Sequence, residues 1–476
     1  MIRRVLLIGA LCSFGVASAH AGLDPATRRL AHDIFRQLIE INTTDSAGNV
    51  TTAAEAMAQR FRAAGFPEGD IHLLGPTERT KNLVVRLRGT GKRKPILLIG
   101  HLDVVEARRE DWTTDPFKFV EKDGYYYGRG TQDMKDGDAV YVTTLIRFRK
   151  EGYRPRRDII LALTAGEETG AHNGLDWLLQ NHRELIDAEF VLNHDDVGLY
   201  TDKGKPLVYQ IVASEKIYAD FALEITNPGG HSSLPGPGNA IYELADGLQR
   251  LARYEFPFEL NEVTRAYFMR SAKTEQGQAA ADMRAVVATP ADPQAIRRLS
   301  ADPMNHALTH TTCVATRLEG GHANNALPQM ARATVNCRIL PGHSAEEVRK
   351  ILVGVLANPM IAVRYIAQGG EVLETAESKH GMLPPPMRPD VLHAAEKVVG
   401  SMWPGTPVIP MMAVGASDAV YANATGMPVY LVSGQELDRD NIRAHGQDER
   451  LPVDSFYREV DFGYRFLKVL LESGGR

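Results

Sequence analysis

The chain is poor in cysteine, has no tract of biased composition, and carries no basic run longer than Lys92-Arg93-Lys94. With a net charge of −5, the lack of a basic stripe excludes electrostatic recognition of nucleic acid. Beyond Val5 to Val16 there is no long apolar run, so no bilayer-spanning segment is expected in the mature chain. The glycine-rich stretch Gly128 to Gly137 fits neither a P-loop nor G-x-G-x-x-G, which removes the usual nucleotide signatures. What is present is a globular composition, 44% hydrophobic and 24% charged, over 476 residues. That length predicts two domains rather than one.

The N-terminus reads as an address. Arg3 and Arg4 precede the apolar run, and Ala19-His20-Ala21 follows as an A-x-A cleavage site. Residues 1–21 are therefore expected to be a signal peptide. A lipoprotein reading through Cys12 is disfavoured by the bulky Leu11. The run is too short to anchor the chain, so the mature protein is expected to be soluble and exported, periplasmic or secreted, with no membrane partner. Only Cys313 and Cys337 then remain. An oxidising compartment permits one disulfide between them, and two buried free thiols is the competing reading. Neither has zinc-knuckle spacing.

Periodicity divides the rest. Helices are predicted from Ala26 and over Ala53 to Phe66. Strand and helix signals then alternate: strands near 82–88, 95–100, 158–164 and 189–193, helices near 136–151 and 172–180. Such alternation predicts a mostly parallel sheet covered by helices. The pattern changes after Val212. A period-2 strand at Lys216 to Asn227, a helix at Ala240 to Tyr254, strands at Thr311 to Leu318 and Ala331 to Leu340, a helix at Ala345 to Leu356 and a strand at Ala362 to Ala367 follow. That β-α-β-β-α-β order is ferredoxin-like. Alternation returns with Val391 to Ser401, Pro428 to Val432 and Asp454 to Leu471. The expected organisation is an α/β domain (22–212 and 379–476) interrupted by an inserted α+β domain (213–378). The Ala-rich stretch Arg265 to Asn305 exceeds what such an insert needs, and is expected to cover a dimer face or narrow the site.

Three apolar runs end in chemistry. Pro95 to Gly100 leads into His101-Leu102-Asp103, Arg157 to Ala165 into Gly166-Glu167-Glu168, and Ala188 to Asn193 into His194-Asp195-Asp196. In an open α/β sheet, ligands bind beyond the carboxyl ends of the strands. If the runs are parallel neighbours, their ends share one site. Asp103 has the spacing to orient His101 through its second ring nitrogen. Asp133, on a tight loop, could reach two metals, while Asp136 suits the helix start. Adjacent Glu167 and Glu168 are costly as like charges, unless one ligates a cation and the other serves as a base. His445 lies in a polar loop before the terminal helix.

Taken in order, GHLDVV, YGRGTQDMKDG, TAGEETG, LNHDD, NPGGHSSLP, NNALP, NCRILPG, GASD and AHGQDER resemble the di-zinc metallopeptidase family of acetylornithine deacetylase, succinyl-diaminopimelate desuccinylase, aminoacylase and glutamate carboxypeptidase. The resemblance spans almost the whole mature chain. It implies a catalytic domain with an inserted lid that often dimerises, and two zinc ions, for which cobalt or manganese can substitute. By position it implies His101, Asp133, Glu168, Asp195 and His445 as ligands, with Asp133 bridging. His194 stands where the family often has an acid, so Asp196 and His194 remain open as alternatives to Asp195. It further implies Glu167 as base, Asp103 as support for His101, His231 as an oxyanion donor, and Arg338 and Asn325 as holders of the substrate carboxylate or nearby backbone. The expected activity is amide hydrolysis at the carboxyl end of short peptides (carboxypeptidase or dipeptidase), with an N-acyl amino acid deacylase as alternative. A silent binding protein on the same fold is disfavoured by the near-complete ligand set. A hydrolase of carbamoyl or amidino groups is the third reading.

Overall fold

The computed structural model describes residues 22–170, 172–367, 369–376 and 384–472. Residues 1–21, expected from the sequence to be a signal peptide, lie outside them. Helices α1 (Pro25–Ile39) and α2 (Val50–Ala63) open the chain, each started by a side-chain cap, from Asp24 and Asn49, that satisfies otherwise orphan N–H groups. Then come β1 (Asn82–Leu87), β2 (Ile96–His101), α3 (Lys135–Lys150), β3 (Ile159–Thr164), α4 (Gly174–Asn181), β4 (Val191–Asn193) and β5 (Lys205–Glu215). The second sheet follows with β6 (Ile217–Thr226), α5 (Ala240–Arg253), α6 (Glu262–Ser271), β7 (Thr312–Gly320), β8 (Met330–Ile339), α7 (Ala345–Leu356) and β9 (Ala362–Ile366). The chain returns through α8 (Pro389–Met402), β10 (Val408–Ala413), β11 (Val429–Leu431) and α9 (Val453–Glu472).

The large sheet has ten strands among the described residues, with the run β1-β3-β2-β4-β11-β5 at its centre and β10 beside β5. Strand β2 is parallel to both β3 and β4, with His101 opposite Thr164 and Ile99 opposite Asn193. The three apolar runs are thus parallel neighbours, and their carboxyl ends coincide. Their unbroken hydrophobicity follows from burial on both faces. Ile96 and Leu98 of β2 join Ile159, Leu161 and Leu163 of β3 in one core, against α1, α2, α3, α8 and α9. The intervening Leu97, Ile99, Ile160 and Ala162 pack with α4 in the core on the opposite face. Period-2 alternation assigns successive residues to the two helical layers.

The second sheet runs β7-β8-β6-β9, all antiparallel, with a short strand at Val372–Leu373 outside β9. Its β-α-β-β-α-β order matches the sequence pattern, and α5 and α7 cover one face through Leu244, Leu251, Val348 and Leu352. Cys313 and Cys337 are cross-strand neighbours on β7 and β8 and form a disulfide, Cα–Cα 4.1 Å. The structure thereby decides between the bonded and free-thiol readings.

The stretch Arg265 to Asn305 is helical and joins the large sheet through its first helix. Helix α6 packs on β10 of the large sheet, where Arg270 Nη1 donates to the Val408 carbonyl (2.9 Å) and to Glu396 (2.8 Å). The helices after it close their own small core around Phe268, Met283, Val286 and Leu299. Helix α6 thereby buttresses the large sheet, and the helices after it bury their apolar residues against α6 and one another. No described helix is long and apolar enough to cross a membrane.

Candidate metal centre

His101 is the last residue of β2 and is buried. Its Nε2 lies 3.1 Å from Asp133 Oδ1 and 3.9 Å from Asp195 Oδ1. Asp133 stands in the loop before α3, where its peptide to Met134 is cis. Its other oxygen, Oδ2, lies 3.0 Å from His445 Nε2, which is also 3.0 Å from Glu168 Oε2. Two triads result, His101–Asp133–Asp195 and Asp133–Glu168–His445, each with its donor atoms within 4.8 Å of one another. They share Asp133, one oxygen facing each way.

The cluster's charge is unbalanced in a way that fits cations. Glu168 Oε1 is buried with no hydrogen-bond partner, and His101 Nε2 and Asp133 Oδ1 face each other at 3.1 Å without hydrogen-bond geometry, a costly arrangement unless something else meets them. In the cation-free protein, protons stand in. Contacts with Asp133 and Glu168 push His445 up to about 10. Although burial opposes it, Asp133 and Asp195 hold His101 well above the ordinary histidine range, and against the opposing pull of burial the two histidines hold Asp133 below the carboxylate range. Imidazole and carboxylate donors are the set that zinc and neighbouring divalent ions take.

The support around the triads departs in part from expectation. Ring orientation of His101 comes from the main-chain carbonyl of Asp103, 3.0 Å from Nδ1, with the Asp103 carboxylate 4.0 Å away. That carboxylate instead accepts the N–H groups of Glu167 (3.3 Å) and Glu168 (3.1 Å), fixing the turn that carries both glutamates. Burial raises Glu167 well above the usual carboxylate range; His101 opposes the shift, and Asp195, Asp418 and Glu168 add to it.

Of the three acids and bases left open in LNHDD, Asp195 joins the cluster. His194 turns away, its Nε2 2.5 Å from Glu459 Oε1 of α9. Asp196 folds back on its own backbone, accepting from Val197 N at 2.7 Å. Among the described contacts, none joins His231, Asn325 or Arg338 to the triads. His231 sits on an exposed ribbon formed by Gly230–His231 and Ala326–Leu327, its Nδ1 2.7 Å from Ser233 Oγ, and Ser232 N donates to the Asn325 carbonyl at 3.1 Å. The Arg338 guanidinium lies over the Tyr218 ring, 4.6 Å from its centre. Sequence reasoning assigned no role to Asp418, buried behind Glu167 and accepting from Asn173 Nδ2 at 2.6 Å. Burial pushes it up to about 7. Its signal was the acid of GASD after the apolar run Val408 to Ala413.

Residues 97–469 match the model of peptidase family M20/M25/M40. The chain belongs to that family. Curated M20 relatives include the N-fatty-acyl-amino acid synthase/hydrolase PM20D1 of Xenopus tropicalis, 26% identical over 77% of this chain and 71% of the relative. Aminoacylase-1 of Mus musculus is 26% identical over 94% of this chain and 97% of its own. Among solved M20 structures, a metallo-carboxypeptidase from Sulfolobus solfataricus superposes with a TM-score of 0.67 at 19% identity, covering 94% of this chain and 100% of that one. A dinuclear metal binding peptidase of Bacillus subtilis superposes at 0.57 and 12% identity, over 94% and 99%. At those identities the superpositions establish the fold: an M20 metallohydrolase architecture with a mostly parallel central sheet.

Proposed function

We propose that the chain is an exported di-zinc hydrolase of amide bonds that removes the carboxyl-terminal amino acid from short peptides or dipeptides. The observation that supports this most is the sharing of Asp133 between two triads, the donor arrangement of a two-cation site. Zinc ions held by His101, Asp133, Glu168, Asp195 and His445, with cobalt or manganese as substitutes, would supply Lewis acidity and a water of near-neutral pKa. The remaining work falls to side chains. Glu167 takes the proton of the attacking water and returns it to the leaving amine, a task suited to a carboxylate whose pKa burial holds above the usual range. Asp103 holds the Glu167–Glu168 turn. His231, brought over the site by closure of the second sheet or from a second copy, donates to the developing oxyanion. Arg338 and Asn325 accompany it and hold the substrate carboxylate, the guanidinium as a planar fork.

A second reading is favoured by the relatives. Both PM20D1 and aminoacylase-1 are named for acyl-amino acids, and the same site would release an amino acid from an N-acyl amino acid. The disulfide supports export. Strand β7 is an outer strand with exposed Val314 and Leu318, and an open strand edge suits pairing with a second copy; we propose the homodimer on that basis. Zinc-loaded protein offered dipeptides, short peptides and N-acetyl and long-chain N-acyl amino acids should release free amino acid from one class, and amidation of the substrate carboxylate should suppress it. Failure on every such substrate by protein carrying both cations, or ammonia release from carbamoyl or amidino compounds alone, would contradict the proposal.

A further inference from the structure

Two stretches remote in sequence must meet for the second triad to exist: residues 128–134, which carry Asp133, and residues 443–450, which carry His445. Neither loop is held by regular structure at its ligand. His445 itself has φ +62°, a left-handed backbone unusual for its residue type. Beyond the short antiparallel ladder between residues 450–452 and 125–127, what joins the loops is a buried polar system that meets the triads only at the main chain, where Arg129 Nη2 donates to the His445 carbonyl at 3.5 Å. Glu449 is fully buried and its Oε2 lies 2.5 Å from Arg129 Nη1, itself buried. Glu449 Oε1 accepts the Gln132 N–H at 2.7 Å, and the Glu449 carbonyl accepts from Gly128 N at 3.2 Å. Gln132 completes the lock: its Oε1 accepts from Arg443 N at 2.7 Å, and its Nε2 donates to the carbonyls of Asn441 (3.2 Å) and Arg450 (2.6 Å). Behind it, Gln435 Nε2 donates to the Gln132 carbonyl at 2.8 Å.

From these contacts we infer that Glu449, with Arg129 and Gln132, is a positioning device that sets His445 against Asp133 and so governs the cation held by Asp133, Glu168 and His445, and not the one on the His101 side. The inference rests on the two-cation reading of the cluster. A buried ion pair is weak evidence for stability, since desolvation offsets its attraction. A geometric role accounts for its place, because every group in it bridges the same two loops. On the His101 side, His101 and Asp195 come from β2 and the end of β4, which the sheet fixes without the lock, and only the shared Asp133 comes from a locked loop. Outer-shell partners of this kind typically change metal affinity by about 10–100-fold.

Zinc titration of metal-stripped protein against a chromogenic chelator tests this on wild type, Glu449→Gln and Glu449→Ala. Wild type should bind two ions. In Glu449→Ala one ion should be held as in wild type and the other should weaken by about 10–100-fold. Glu449→Gln, which keeps an acceptor for Gln132 N, should fall between them. In the metal-free proteins, amide hydrogen exchange at Gln132 and Arg443 should quicken in Glu449→Ala while β2 and β3 stay protected. Equal weakening of both ions, exchange loosened across the whole sheet, or two ions bound unchanged by Glu449→Ala would overturn the positioning role while leaving the two-cation site standing. Wild type binding fewer than two ions would overturn the site and the lock together.

Discussion

Replacing His194 by alanine separates the two readings of the LNHDD segment. The imidazole is enclosed: its side chain is 2% exposed and that of Glu459 is 0%. Tyr141 meets it edge-on at 5.2 Å, and a Cβ placed on Gly137 would come within 2.7 Å of its ring. Burial pushes His194 down to about 4 and raises Glu459 well above its ordinary range. Burial thus disfavours charge on both partners. His194→Ala removes a buried ring, at about 2–5 kcal/mol for such truncations, and strands the buried Glu459 carboxyl, at about 1–3 kcal/mol. A water entering the polar void recovers part of this, which leaves about 3–5 kcal/mol. That corresponds to a melting temperature lower by on the order of 5–10 °C. Asp195→Ala touches a partly open side chain and should move stability by less than about 1 kcal/mol while abolishing one cation site. Thermal melts paired with metal titration distinguish them. A His194→Ala protein with an unchanged melting temperature and a missing cation would make His194 a ligand and refute the assignment.

Glu167→Gln should keep both cations and lose about 10²–10⁴-fold in kcat, the usual worth of a positioned base; near-normal turnover would remove Glu167 from that role. In the metal-free protein the cluster's own contribution to stability should fall as pH rises. His445 titrates at about 10 when folded against 6.5 when free, and burial raises Glu168 despite the opposing contact with His445. Each then binds more protons folded than unfolded, so the stability is fully present below the free pKa and is lost as pH passes the folded one. Cations take the place of those protons. The gap in melting temperature between cation-loaded and stripped protein should widen from pH 6.5 to 10, and a constant gap would contradict it.

Much of this was legible because the strands that form the site are buried on both faces. Runs such as Ile96 to Ile99 have no polar residue until the chain leaves the sheet, so the ligands announce themselves at His101 and just past Thr164 and Asn193. The ferredoxin-like order was readable for a related reason: Ile217 to Ile225 alternates strictly because β6 has one covered face. The segment at 262–309 was not readable in the same way. Its helices are evident, but which apolar surface they cover depends on β10, more than 100 residues later. The Asp103 result has a similar origin. Two spaced residues showed that a contact was available, and only the turn geometry decided between its carbonyl and its carboxylate. Supporting groups such as Arg129, Glu449 and Asp418 act through partners hundreds of residues away, and no local spacing marks them.

The central claim is that one aspartate serves two cations at once. Counting zinc per chain in wild type, Asp133→Asn, Asp195→Ala and His445→Ala tests it directly. Wild type should hold two ions, Asp195→Ala and His445→Ala one each, and Asp133→Asn should lose or severely weaken both. Retention of one tightly held ion in Asp133→Asn, or a wild type that binds fewer than two, would contradict it.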